Sequence, residues 1–129
     1  ELAVEAGLPA ISGDRVHLSQ VLLNLIINAM DAVMELPPAE RRVRVEGRCN
    51  ATGEVEMSVS DSGHGIPEES LARVFEPFFT TKSSGMGMGL AVSRTIVEAH
   101  GGRISVRNSS GGGAEFRVVL PVATQAAWP

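Results

Sequence analysis

The chain has 129 residues, 43% of them hydrophobic and 20% charged, which is enough for one domain with its own apolar core and no covalent staples. A formal net charge of -4 without any basic cluster argues against a nucleic-acid partner. The single cysteine, Cys49, excludes an internal disulfide and any cysteine-built metal site, which suits the cytoplasm.

The chain opens on a strand candidate, Glu1 to Val4, followed by a turn at Gly7, Leu8 and Pro9 and a second short strand at Ala10 to Ser12. It opens without an initiator methionine or a signal peptide, and is expected to be an excised piece of a longer protein. Asp14 is placed to cap the N-terminus of a helix that ends near Leu36, because Pro37 and Pro38 cannot continue it. The heart of that helix, Leu18 to Val33, is apolar on most sides and is expected to be largely buried, yet no apolar run is read as membrane-spanning. Gln20, Asn24, Asn28 and Asp31 recur along it on one stripe. Uncharged amides set into a buried helix need partners, so a polar cavity beside the stripe is the expectation.

Alternation over Arg42 to Cys49 and Glu54 to Ser60 predicts two antiparallel strands joined around Asn50 to Gly53. The second runs directly into Asp61, Ser62, Gly63, His64, Gly65, Ile66 and Pro67. Gly63 and Gly65 remove side chains, so a flat ring can lie against the backbone, while Asp61 offers an acceptor to an exocyclic amine. Glu68 to Ala72 reads as a short helix, and Arg73 to Gly87 has no sustained period. Phe75, Phe78 and Phe79 cluster there, either as a satellite core or as a docking patch.

Gly85, Met86, Gly87, Met88, Gly89 and Leu90 open a second long helix, about Met88 to His100, stopped by Gly101 and Gly102. Backbone N–H groups at the start of a helix suit an anion. The segment lacks the Gly-Lys-Ser/Thr ending of a Walker loop, and it lacks the spacing and preceding strand of a dinucleotide fingerprint. Ile104 to Val106 and Phe116 to Leu120 are the last strands, joined through the glycine-rich Ser109 to Gly113, and the chain from Pro121 onward reads as a tail. The order of elements predicts an α+β fold of two layers, a mixed but mostly antiparallel sheet packed against about three helices.

In combination these motifs resemble the catalytic and ATP-binding domain of bacterial sensor histidine kinases, in the superfamily of gyrase B, MutL and the large heat-shock chaperone ATPases. Asn24 to Ala29 is similar to the family's N box, Asp61 to Gly65 to its first glycine box, Phe75 to Phe79 to its phenylalanine box, and Gly85 to Leu90 to its second glycine box. Gly111 to Phe116 is similar to the last glycine motif, so the resemblance covers nearly the whole chain.

The resemblance implies a Bergerat-type sandwich with a flexible ATP lid, a single domain of 1–122 with a tail at 123–129, and a dimerisation and phosphoacceptor domain absent from this chain. It implies that Asp61 accepts the adenine amine and that Asn28, with Asn24, holds the magnesium ion bridging the ATP phosphates. Gly85, Gly87 and Gly89 would hinge the lid, with Lys82 near the phosphates and the phenylalanines anchoring the lid and helping to dock the partner domain. The implied nucleotide contacts also take in Asp31, Gly63, Gly65, Ile66, Phe79, Thr80, Thr81, Met86, Met88, Leu90 and Ala114. Such a glycine-rich lid is expected to order fully only with nucleotide.

Where the hydrolytic relatives carry a glutamate, this chain has Asn24, and an amide cannot take a proton from water. The resemblance therefore implies transfer of phosphate to a histidine on the missing domain, and from there to a response regulator, with no direct membrane contact from this domain. His17, His64 and His100 lie outside phosphoacceptor-like surroundings, and His100 reads as a partner of its helix's C-terminal dipole. Ala114 stands where many members have a hydroxyl, which removes one water-mediated contact near adenine. A hydrolytic ATPase or clamp of the same fold, and an interaction module with a relic site, are the competing readings.

Overall fold

The computed structural model describes residues 2–4, 13–77, 79 and 89–122. The expected strand at Ala10 to Ser12, residues 80–88 of the expected lid region and the expected tail at 123–129 lie outside them. Five strands form one sheet: β1 (Leu2–Val4), β2 (Val43–Cys49), β3 (Val55–Asp61), β4 (Arg103–Asn108) and β5 (Ala114–Leu120), in the order β1-β2-β3-β5-β4. Only β1 and β2 run parallel, and the other pairs are antiparallel, so the sheet is mixed as expected. Helices α1 (Arg15–Val33), α2 (Glu68–Leu71) and α3 (Gly89–Ala99) supply the second layer.

Local chemistry explains most boundaries. Asp14 caps α1, its Oδ1 accepting the N–H groups of Val16 at 2.9 Å and His17 at 3.1 Å. The helix stops at Val33, before Leu36, because the chain tightens there and Arg41 takes the loose carbonyls, donating to Leu36 O at 2.8 Å and Met34 O at 2.9 Å. Pro38–Glu40 is a single 3-10 turn. The β2–β3 hairpin closes on Asn50, whose Oδ1 accepts the N–H groups of Thr52 and Glu54, with Gly53 at φ 85°. At its far end α3 finishes in a Schellman turn, in which Gly101 has φ 76°, its N–H reaches Glu98 O, and the N–H of Gly102 reaches Val97 O at 3.0 Å.

The core lies between the layers, where Val21, Leu25 and Ala29 of α1 and Val97 of α3 meet Val59, Phe116, Val118 and Leu120. The expectation that α1 is largely buried is corrected: of its residues only Val21, Leu25, Ala29 and Val33 are buried, while Leu23, Ile27 and Met30 are half exposed. A two-layer sandwich gives a helix one covered face, whatever the composition of the others. By length and composition α1 is apolar enough to cross a membrane, so the reading that no run reaches that length is also corrected. The phenylalanine alternatives are settled for Phe75 and Phe79. Both pack against the core, Phe75 edge-on to Phe116 at 6.1 Å, and the Arg73 guanidinium lies 4.8 Å from the centroid of the Phe79 ring. Phe78 is outside the described residues.

The other face of the sheet is held by charge. Glu56, only 6% exposed, pairs with Arg48 at 2.8 Å and Arg117 at 3.1 Å, while Glu115 joins Arg117 and Arg107. The hydrogen bond from Arg48 holds the Glu56 carboxyl below the usual glutamate range in spite of its burial, and the Arg117 charge adds to the effect.

Candidate functional site

Asp61 is the last residue of β3, a strand paired on both sides, so its backbone position is rigid. Its Oδ1 accepts the N–H of Gly63 at 2.9 Å and the N–H of Ala114, the first residue of β5, at 3.3 Å. Its other oxygen has no partner among the described residues. Asp61 is 7% exposed, and burial pushes its carboxyl pKa up, against the lowering effect of the two backbone donors. A desolvated carboxylate with one oxygen tied and one open is a directed hydrogen-bond acceptor.

The loop beyond Asp61 sits on α1. A side chain on Gly63 would lie 2.6 Å from the carbonyl of Ala32, one helical turn beyond Asn28. Gly65 has φ 80° and faces Asn108, which clasps the next residue, its Oδ1 accepting the Ile66 N–H at 2.7 Å and its amide donating to Ile66 O at 2.7 Å. Each of these glycines also serves a contact within the protein, Gly63 against α1 and Gly65 against Asn108. Gly113, at φ 82°, faces the Asp61 carbonyl so closely that no side chain would fit.

On the polar stripe of α1, Asn24 and Asn28 are half-buried, while Gln20 and Asp31 are exposed. The Asn24 amide nitrogen donates to Gly89 O and to Ser93 Oγ, both at 3.2 Å, which ties the stripe to the first turn of α3. The Asn28 side chain makes no hydrogen bond among the described residues. The stripe thus runs between the N-terminal end of α3, at Asn24, and the Asp61 loop, just past Asn28. Leu90 packs into the core. Ala114 reaches Asp61 through its backbone N–H, a contact that needs no particular side chain at that position.

Thr80, Thr81, Lys82, Gly85, Met86, Gly87 and Met88 lie outside the described residues. Asn108, Ser93 and Gly113 are parts of the site that the sequence reading did not single out individually. Gly113 falls inside the last glycine motif, whereas the partners of Ser93 and Asn108 are 69 and 42 residues away, with no local signal. His100 bonds the end of its own helix and also latches it to α1: its Nδ1 bonds Ile96 O, in the last turn of α3, at 2.8 Å, and its Nε2 accepts the Asp14 N–H at 3.0 Å. A cavity of about 460 Å³ lined by Leu18, Leu22, Met57 and Val118 opens at the Val55 end of β3, roughly 20 Å along the strand from Asp61, and is a separate feature.

The family model for histidine kinase-, DNA gyrase B- and HSP90-like ATPases matches residues 13–124. The chain belongs to this family. It is 40% identical over 124 residues to the sensor protein FixL of Bradyrhizobium diazoefficiens, a match covering 95% of this chain and 24% of that protein. It is 44% identical over 115 residues to the sensor histidine kinase ZraS of Salmonella typhimurium, covering 89% and 24%. The chain therefore spans about a quarter of the length of these curated relatives. Among solved structures, the nucleotide-free catalytic domain of histidine kinase ThkA superposes with a TM-score of 0.80 at 35% identity, covering 94% of this chain and 76% of that one. Full-length ShkA in complex with AMPPNP gives 0.79 at 35% identity, covering 95% and 25%. The two-layer sandwich is the fold of these histidine kinase catalytic domains, and the chain is an ATPase-type domain of the kind found in two-component sensors.

Proposed function

We propose that this chain binds Mg-ATP and presents the terminal phosphate to a histidine on a separate dimerisation and phosphoacceptor domain, as the catalytic half of a cytoplasmic kinase module that feeds a response regulator. The observation that carries the reading is the Asp61 carboxylate, buried at the end of a central strand with one oxygen fixed by two backbone donors and the other open. That arrangement fits the exocyclic amine of adenine and disfavours a base that presents a carbonyl there. From this end the polar stripe of α1 leads to the N-terminus of α3, whose dipole favours the phosphates.

Among the described residues no three His, Cys, Asp or Glu converge on one point. Two amide side chains on one stripe fit magnesium, which is usually held by few protein oxygens together with water and phosphate. Asn28 and Asn24 would hold the ion, which would supply charge neutralisation at the phosphates. Asn24 cannot act as a base toward water, so the pocket positions the nucleotide while the nucleophile comes from outside. Asp31, Ile66 and, on the lid, Thr80, Thr81, Lys82, Gly85, Met86, Gly87 and Met88 are among the proposed nucleotide contacts.

Calorimetric titration with a non-hydrolysable ATP analogue and magnesium tests the reading. The expected outcome is one binding site in the unmodified chain, weakened strongly by Asp61→Asn. A folded chain with no detectable binding would overturn the nucleotide assignment and favour an interaction module.

A further inference from the structure

Ser93 is a polar side chain with no exposure at all, on the face of α3 turned toward α1. Its hydroxyl proton goes to Gly89 O, one helical turn back, at 2.8 Å. Its oxygen is then an acceptor, and it takes an N–H from the Asn24 amide at 3.2 Å, while the same nitrogen also donates to Gly89 O at 3.2 Å. These two acceptors lie only 2.8 Å apart, too close for the diverging protons of one amide nitrogen to take one each, so a single N–H is shared between them. Flipping the amide would set its oxygen against the Gly89 carbonyl, two acceptors facing one another. The orientation is therefore fixed by the chemistry of its neighbours.

We propose that Ser93 is a positioning residue that holds the Asn24 amide nitrogen against the start of α3, so that the amide oxygen is offered to the stripe shared with Asn28. Asn24 then serves a cation or a cation-bound water through that oxygen. The inference rests on the Mg-ATP reading of the site and adds to it the direction of one ligand and the residue that sets it. Because Gly89 begins α3, the same bonds also make the start of that helix part of the ligand's support. Partners of this kind typically change metal affinity by about 10–100-fold when removed.

The test is binding of a non-hydrolysable ATP analogue in two arms, with saturating magnesium and with chelator. Ser93→Ala should narrow the gap between the arms by ~10–100-fold. Asn24→Ala should narrow it similarly, and the double variant should do little more than either alone. A chain that binds with a metal-dependent gap left intact by Ser93→Ala overturns the role of Ser93 alone. Loss that is equal in both arms reduces Ser93 to a packing residue. Absence of any nucleotide binding in the unmodified chain overturns the Mg-ATP reading and this proposal together, and binding without metal dependence overturns this proposal while sparing the adenine pocket. A measurement on the unmodified chain needs no variant to fold: one of the two Asn24 side-chain amide protons should exchange with solvent far more slowly than those of exposed Gln20. Equal exchange rates would remove the lock.

Discussion

On the proposed function Asp61 is a carboxylate kept for a ligand, and its burial should cost the empty protein stability in a measurable form. Burial raises its folded pKa above the ordinary value of 3.8. Any stability from this group is fully present below the unfolded pKa and is lost as pH rises through the folded one, so at neutral pH the ionised side chain opposes folding. Asp61→Asn can still accept from Gly63 and Ala114 through its oxygen, and the variant should melt at the same temperature as the unmodified chain or higher. Its affinity for an ATP analogue should instead fall by about 10–100-fold, the weight of a hydrogen bond to a charged group. Thermal melting and calorimetry on the same samples check the opposite signs. In the unmodified chain, binding should also weaken on acidification through the raised Asp61 pKa, at a higher pH than a solvated aspartate would require. An affinity that holds flat down to the ordinary aspartate range would separate Asp61 from recognition.

Between elements, the contacts that hold the layers in register join residues far apart in the chain. His100 ends α3 and accepts the N–H of Asp14, 86 positions away, while Gly13 has no room for a side chain against the same imidazole. His100→Ala removes one acceptor and one donor and should cost about 1–3 kcal/mol in a urea denaturation series, with no change in the fold. On the open sheet face, the Glu56 pKa is depressed by Arg48 and Arg117, so its contribution is present above the unfolded value and is lost as pH falls through the folded one. Glu56→Gln should accordingly flatten the acid limb of the stability curve while lowering the plateau at neutral pH. These contacts show where sequence reading stops. The strands, the Asp14 cap and the glycine stop of α3 were legible because caps, alternation and turn residues act over a few positions. The His100 latch and the Ser93 and Asn108 bonds were not, since each depends on which elements the fold sets side by side. The burial of α1 was misjudged for a related reason, because composition counts apolar residues but the two-layer architecture decides how many faces are covered.

For the molecule as a whole, the central question is whether a site that holds ATP also consumes it. Asn24 and Asp61 were legible together because several short motifs fall in one order along the chain, and the fold brings the Asp61 loop against α1 one turn past Asn28. The stripe presents amides where a hydrolytic site needs a base, and its nearest carboxylate neighbour on the helix, Asp31, is exposed. The isolated chain should therefore bind ATP and release phosphate at close to the uncatalysed rate, since among the described residues the stripe offers amides and no base toward water. Adding a dimeric helical domain that carries a phosphoacceptor histidine should produce labelled histidine from γ-labelled ATP, and Asn24→Ala should abolish that transfer while leaving the adenine contact at Asp61 in place. Sustained phosphate release by the chain alone would instead make it a hydrolytic member of the family. Undiminished transfer in Asn24→Ala would remove that amide from the mechanism, and with it the reason for α3 to hold the amide in one orientation.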